Sequence, residues 1–314
     1  MPSCATYATR EVDEYAAALR PSEGEVTVTG RGGFHATVVR VSLHRLWMQS
    51  AQETLARTWN AELWADRGSV SFLTRPGLAI HQGVEARADE ISLKASGQPV
   101  WQRLGPSAHW GTMSLPTEDW AETASVIAGR DIVPRGRSIL IAPRAAPLAT
   151  LRRLHAATAD LARSAPEMIE DPEVARGLEQ GLLRALVACV DTVGPREATM
   201  AQRNHTNIIT RFRRALEERS ETAVYVPEIC AAIGVSDRTL RLCCREQLGV
   251  SPGRYLYLRR MTLVRRALRL AKPGATSVTR IAARFGFWEL GRFAVDYRSL
   301  FHESPSVTLR HSDA

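Results

Sequence analysis

The chain has 314 residues, 34.7 kDa, 45% apolar and 24% charged, enough to bury two ordinary cores. No run of about 18 apolar residues and no basic-then-apolar leader occurs, which argues against a membrane span or export and for a cytoplasmic location. The net charge of +8 is unevenly placed: from Met200 onward there are 20 Lys and Arg against 10 Asp and Glu, and before it 21 against 23. Positive charge gathered in the last third favours a polyanionic partner, because each neutralised phosphate releases counterions. Nearly all of it is arginine, the only lysines being Lys94 and Lys272.

From Glu25 to about Leu115 short β-branched or alternating runs recur. They begin at Val26, Ala36, Arg45, Ser69, Ile91 and Trp110, with Gly, Pro and polar residues between them. Many short strands at this spacing predict a β-sandwich or small barrel. His35, His44, His81 and His109 lie in this region without an H-x-H pair or a carboxylate at ligand spacing, so we expect no metal. Trp47, Trp59, Trp64, Trp101 and Trp110 read as core residues, any of which could instead line a pocket. Gly30 to Gly33 (GRGG) lacks the Lys-Ser/Thr of a phosphate-cradling loop, and no Ser/His/Asp arrangement stands out. Five cysteines, Cys4, Cys189, Cys230, Cys243 and Cys244, have no C-x-x-C spacing, and all but Cys4 read as small buried side chains. We therefore expect no cofactor and no catalytic residues.

After Leu115 the pattern turns helical. Pro116-Thr117 opens a helix through about Ala128, ended by Gly129. Two amphipathic helices follow, Leu148 to Arg163 and Pro172 to Val190, the second opened by Asp171-Pro172. Their apolar faces carry Leu151, Leu154, His155 and Leu161 on one, and Leu178, Leu182, Leu183, Leu186 and Val190 on the other. Such a hairpin is either a dimer surface or a cover for the chain's own sheet. Val193-Gly194-Pro195 to Met200 reads as a hinge.

The last third contains one plan twice. Val226 to Pro252 gives a short helix with Ile229, Cys230 and Ile233 on its apolar face, a break at Gly234, a cap at Ser236, and a second helix from Asp237 to about Leu248, stopped by Gly249. Arg280 to Pro305 repeats it, with Ile281 and Ala282, Gly286 and Ser304-Pro305 in the matching places. The glycines are 52 residues apart and the Ser-Pro pairs 53, which predicts a second recognition helix one residue longer. A helix from Tyr255 to Ala271, ended by Lys272-Pro273-Gly274, joins the two units. At about 1.5 Å per residue such a helix spans roughly 25 Å, suited to placing two recognition helices on one face of a duplex.

The run GVSDRTL, LGVSPGRYL, the linker from Arg259-Arg260-Met261 to Leu268, IAARFGF and RFAVDYRSLF resembles the DNA-binding domain of the AraC/XylS transcription regulators. The likeness covers a little over a quarter of the chain. It implies an α+β protein: a cupin-like β-barrel or sandwich sensor over 1–145, a helical connector that could dimerise over 146–197, and an all-α domain over 198–314 with helix-turn-helix units at about 226–249 and 278–302. In the family motif Arg238 and Arg241 fall where base contacts are usual, with Thr239 between them, and Arg245 falls nearer the phosphates. In the second unit Trp288, Glu289, Gly291 and Arg292 form the exposed start of the helix, and Arg298 lies further along it. Two departures stand out: Trp288 replaces the usual capping Ser or Thr, and the glycine usual before the last Ser-Pro is replaced around His302. The resemblance implies a homodimeric, cytoplasmic activator, not an enzyme. It would bind promoter or operator double-stranded DNA, contact RNA polymerase and answer a small-molecule effector. Two other readings are a constitutive DNA-binding protein whose first domain only dimerises, and a DNA-repair enzyme carrying the same reader.

Overall fold

A computed structural model describes residues 1–19, 24–120, 122, 138–190, 196, 199–219, 223–272 and 276–310. The chain divides into two compact units, Met1–Val26 with Phe34–Ala198, and Thr27–Gly33 with Thr199–Ala314.

The first unit is built on two antiparallel sheets. In chain order the strands are β1 (Ser3–Thr9), β2 (Gly24–Val28), β3 (Ala36–Ser42), β4 (Trp47–Glu53), β5 (Arg57–Glu62), β6 (Arg67–Leu73), β7 (Ala79–His81), β8 (Val84–Ala86), β9 (Ile91–Lys94), β10 (Pro99–Leu104), β11 (Ala108–Pro116) and β12 (Ile139–Ile141). Seven form one sheet in the order β1-β3-β4-β11-β6-β9-β12, and five form another in the order β2-β5-β10-β7-β8. The sheets do not close into a barrel, so of the two expected forms the architecture is a sandwich. All six runs singled out in the sequence lie on strands, β4 beginning at Trp47 and not at Arg45 because the Arg45 N–H turns away to Glu179 Oε2 at 2.8 Å.

The helices of this unit whose bounds lie among the described residues are α1 (Val12–Ala18), α2 (Ala145–Ser164), α3 (Pro166–Glu170) and α4 (Pro172–Val190). The predicted helix after Pro116 begins at Thr117, and its remainder falls outside the described residues, as does most of the expected hinge. Asp171 caps α4, its Oδ1 accepting from the Glu173 and Val174 N–H groups at 2.9 and 3.0 Å. The connector helices lie on the seven-stranded sheet: Leu148, Leu151, Leu182, Leu183, Leu186 and Val190 share one core with Val39, Met48, Val70, Phe72, Ile91 and Met113. Of the two uses open to this hairpin, its apolar faces serve the chain's own sheet. Burying each such side chain contributes about 1.5–3 kcal/mol.

His155 enters that core from α2. Its Nε2 lies 2.9 Å from the Gln49 carbonyl, and its ring meets Phe72 edge-on at 5.1 Å. Gly111 on β11 makes room: a Cβ there would sit 2.6 Å from His155 Cε1. Burial lowers the His155 pKa from 6.5 to about 4. A folded-state value below the unfolded one means stability that is full above about pH 6.5 and is lost as pH falls toward 4, about 3 kcal/mol in all. Urea midpoints measured between pH 7 and 4.5 are therefore expected to fall more steeply for the wild type than for His155→Gln.

Candidate nucleic-acid interface

The second unit contains α5 (Met200–Glu217), α6 (Val226–Ile233), α7 (Asp237–Leu248), α8 (Pro252–Arg269), α9 (Val278–Arg284), α10 (Leu290–Phe301) and α11 (Pro305–Arg310). In the first helix-turn-helix, α6 ends at Gly234 with φ +62, a left-handed position that costs glycine no Cβ clash. Ser236 then accepts the Thr239 N–H at 3.1 Å and starts α7, which Gly249 ends at φ +75. Ile229, Ile233, Leu240, Cys243, Cys244 and Leu248 are buried. Cys230 is half-buried, a correction to its expected burial, because it sits at the rim of the face that Ile229 and Ile233 fill. Burial pushes Cys243 up to about 11, which keeps that thiol protonated at neutral pH.

Sequence reading did not identify α5. It opens with a reciprocal cap between Thr199 and Gln202 and buries Ile209, Phe212, Ala215 and Leu216 against α6 and α7. The spacing of those four residues was the available signal. His205 on α5 also reaches Glu246 on α7, Nδ1 to Oε2 at 2.6 Å, bracing the back of the recognition helix.

α8 starts at Pro252, three residues earlier than expected, because Ser251 caps it by accepting from Arg254 N at 3.3 Å; it ends at Arg269. Its 18 residues give about 27 Å. Met261, Val264 and Leu268 on α8 form one core with Ile281, Ala282, Phe285, Phe287, Phe293 and Tyr297 of the second helix-turn-helix. Tyr257 on α8 donates to Asp296 on α10 at 2.6 Å. One helix thus supports both reading units.

The expectation of a longer second recognition helix is corrected: α7 and α10 both have 12 residues. The extra residue lies in the turn, where α10 starts four residues after Gly286 and α7 three after Gly234. The cap explains the difference. Ser236 holds the start of α7, whereas Glu289 at the start of α10 makes no side-chain cap hydrogen bond, so the turn runs one residue further before the helix begins. The other departure is also visible. His302 ends α10 in the left-handed region at φ +59, where a side chain costs about 1–2 kcal/mol. His302→Gly is therefore expected to raise the urea midpoint, by the equivalent of about 1 kcal/mol.

On α7 the exposed residues are Asp237, Arg238, Arg241, Leu242, Arg245 and Glu246. Arg241 Nε donates to Asp237 Oδ2 at 2.6 Å, one turn away, so its guanidinium is held along the helix surface. Thr239 is half-buried and its hydroxyl is engaged with Ser236 Oγ at 2.8 Å. Leu242, 50% exposed in mid-helix, was not singled out in the sequence; it follows Arg241 on the same outward arc and offers an apolar contact. In the turn before α10 Trp288 and Glu289 are exposed, Trp288 at 75%, and so are Gly291, Arg292, Val295 and Arg298 on the helix itself. Arg292 Nε lies 3.9 Å from Asp296. The first helix-turn-helix thus presents arginines, and the second a mixed surface with a large aromatic at its tip.

Residues 229–311 match the model of a helix-turn-helix domain family. The probable thc operon regulatory protein of Rhodococcus erythropolis is 39% identical over 95 residues. The chain carries an AraC/XylS-type DNA-binding domain. A XylDLEGF operon transcriptional activator of Pseudomonas putida is 34% identical to it, also over 95 residues. Those stretches span 30% of this chain and 29% and 30% of the two relatives, so the likeness is one of AraC/XylS-type readers alone. Among solved structures, the AraC-like transcriptional activator CuxR aligns over 88% of this chain and 99% of its own at 19% identity and TM-score 0.42. ToxT from Vibrio cholerae O395 aligns over 93% and 98% at 11% identity and TM-score 0.29.

Proposed function

We propose that the protein is a sequence-specific transcription regulator that binds promoter or operator double-stranded DNA through α7 and α10. The observation that carries this reading is the pair of helix-turn-helix units built on one linker helix, each with an exposed recognition helix, within the stretch most like operon regulators. Arg238 and Arg241 read base edges, Arg245 meets phosphate, and Thr239 orders the helix start through its bond to Ser236. At the start of α10, Trp288 and Glu289 in the turn and Gly291 and Arg292 on the helix approach the groove and Arg298 the backbone, with shape contributing more than hydrogen bonding. The first unit is an effector sensor over 1–145, joined through the connector of 146–197 to a reader over 198–314. The protein works as a homodimer in the cytoplasm, activates transcription through RNA polymerase, and performs no catalysis. No helix among the described residues is long and apolar enough to cross a membrane. Effector binding would act by shifting the population of dimers that present their readers to neighbouring half-sites.

Selection from random duplex DNA with the full chain, at stated salt, tests the reading. The expected product is one motif of two unequal blocks about one helical turn apart. Salt-sensitive binding without sequence preference would sink it.

A further inference from the structure

The glycines of the two helix-turn-helix turns match in sequence but not in surroundings. Gly234 needs its left-handed backbone, yet it has room for a side chain: the nearest atom to a Cβ there would be Arg211 Nη2, at 3.7 Å. Gly286, at φ +77, has the same backbone requirement and a second one. A Cβ there would lie 2.9 Å from Ala223 Cβ, 3.1 Å from Arg260 Nη1 and 3.3 Å from the Tyr225 hydroxyl, all inside the roughly 3.5–4.0 Å of ordinary packing. Ala223 and Tyr225 lead into α6, so the turn of the second unit rests directly on the entrance to the first.

Arg260, on α8, closes this junction. Its guanidinium carbon lies 5.7 Å from the centre of the Tyr225 ring and 5.2 Å from that of Phe287, the residue after Gly286. Both distances fall within the roughly 6 Å over which a ring face attracts a cation. Each ring is anchored in its own unit. The Tyr225 N–H donates to Glu228 Oε2 at 3.2 Å in the first turn of α6. Phe287 belongs to the core of the second unit, edge-on to Tyr257 of α8 at 5.8 Å and tilted against Phe293 of α10 at 5.0 Å. Arg260 therefore ties a ring fixed to α6 to a ring fixed to α10. A shared helix sets how far apart two bodies stand, but it leaves them free to rock about its length. A contact placed off that helix removes the freedom, and the Gly286 turn seated on Ala223 and Tyr225 is such a contact.

We propose that Arg260, held between Tyr225 and Phe287, locks the two helix-turn-helix units in one relative orientation and so restricts the protein to a single spacing between the two blocks of its DNA site. Arg260 is a positioning residue: it acts through the rings and not on a base. The lock follows from the junction alone, whereas its consequence for spacing rests on the DNA-reader function proposed above. One added base pair moves a block by about 3.4 Å and turns it by roughly 35° around the duplex, a displacement that a locked pair of recognition helices cannot follow.

Two measurements on the full chain test the proposal, the first without DNA. Residual dipolar couplings of the α7 and α10 amides are expected to fit one alignment tensor in the wild type and in Tyr225→Phe, which keeps the ring. Arg260→Met and Tyr225→Leu are expected to need two, with each helix still fitting its own, which shows that both units remain folded. Tyr225 is 47% exposed, so its variants leave the core of the first unit intact and carry the test if Arg260→Met fails to fold. Two tensors in the wild type, or a single one in the folded disrupted variants, would overturn the lock. The second measurement is competition binding to the selected motif and to versions with the spacer one base pair longer or shorter. The wild type is expected to lose about tenfold for either change, comparable to a mismatched base pair, and the disrupted variants about threefold or less. Equal losses in wild type and variants would overturn the restriction on spacing. Weaker binding at every spacing in Arg260→Met, with none in Tyr225→Leu, would assign Arg260 to phosphate and overturn its positioning role. A wild type that selects no motif refutes the regulator reading, and the couplings then decide the lock by themselves.

Discussion

Replacing Glu53 with alanine is expected to lower the unfolding free energy of the first unit by about 3–5 kcal/mol, a large share of an ordinary domain's stability. Glu53 is 3% exposed and Arg57 and Tyr15 are fully buried. Arg57 Nε meets both carboxylate oxygens at 3.1 Å, and Tyr15 O–H donates to one of them. Among the described residues, truncation leaves the Arg57 guanidinium hydrogen-bonded to the amide oxygen of Gln102, 3.0 Å from Nη1, and to the Tyr15 hydroxyl, with no carboxylate partner. The cost is that of an uncompensated buried charge and not the net worth of the pair. Removing both charges together, as Glu53→Met with Arg57→Met, is accordingly expected to recover most of the loss. Urea unfolding of the two variants and the wild type makes the comparison. A double variant no more stable than Glu53→Ala would show that the pair is held by geometry beyond its charges.

Arg241→Ala is expected to weaken binding to the selected motif by about 1–3 kcal/mol, and to relax preference at a single base pair. In the unbound protein Arg241 is already held by Asp237 at 2.6 Å on an exposed helix face, so binding exchanges that contact for a base edge. Both residues are half-exposed, and such surface pairs contribute little stability. The fold should therefore be untouched, which makes the variant a clean probe of recognition. Equal loss on every sequence, with a shallower salt dependence, would instead assign Arg241 to phosphate.

The last third was readable from its sequence because its determinants are local. Gly234 and Gly249 act through their own φ values and Ser236 through its hydroxyl on an amide three residues away, and they occupy the turn and cap positions that their spacing predicted. The same locality explains the misjudged length of α10. Counting between Gly286 and Ser304 does not reveal whether an extra residue lengthens the helix or the turn, and a missing cap decided for the turn.

The first unit was readable only where strands bury apolar residues on their inward faces. β5 and β10 went unseen because Arg57, Trp59 and Gln102 point inward among polar neighbours, which erases the alternation that marks a strand. The residues that hid those strands also line the narrow gap between the two sheets. By itself the sequence determined a basic double helix-turn-helix reader behind a strand-rich domain, since periodicity, caps and charge are carried by near neighbours. Tertiary structure alone decided that the connector helices cover the chain's own sheet, that the two recognition helices are equal in length, and that Lys94, beside Ser69 on one sheet, faces Arg57 and Trp59 of the other. Strand register brings together residues that lie tens of positions apart, and no local pattern encodes that pairing.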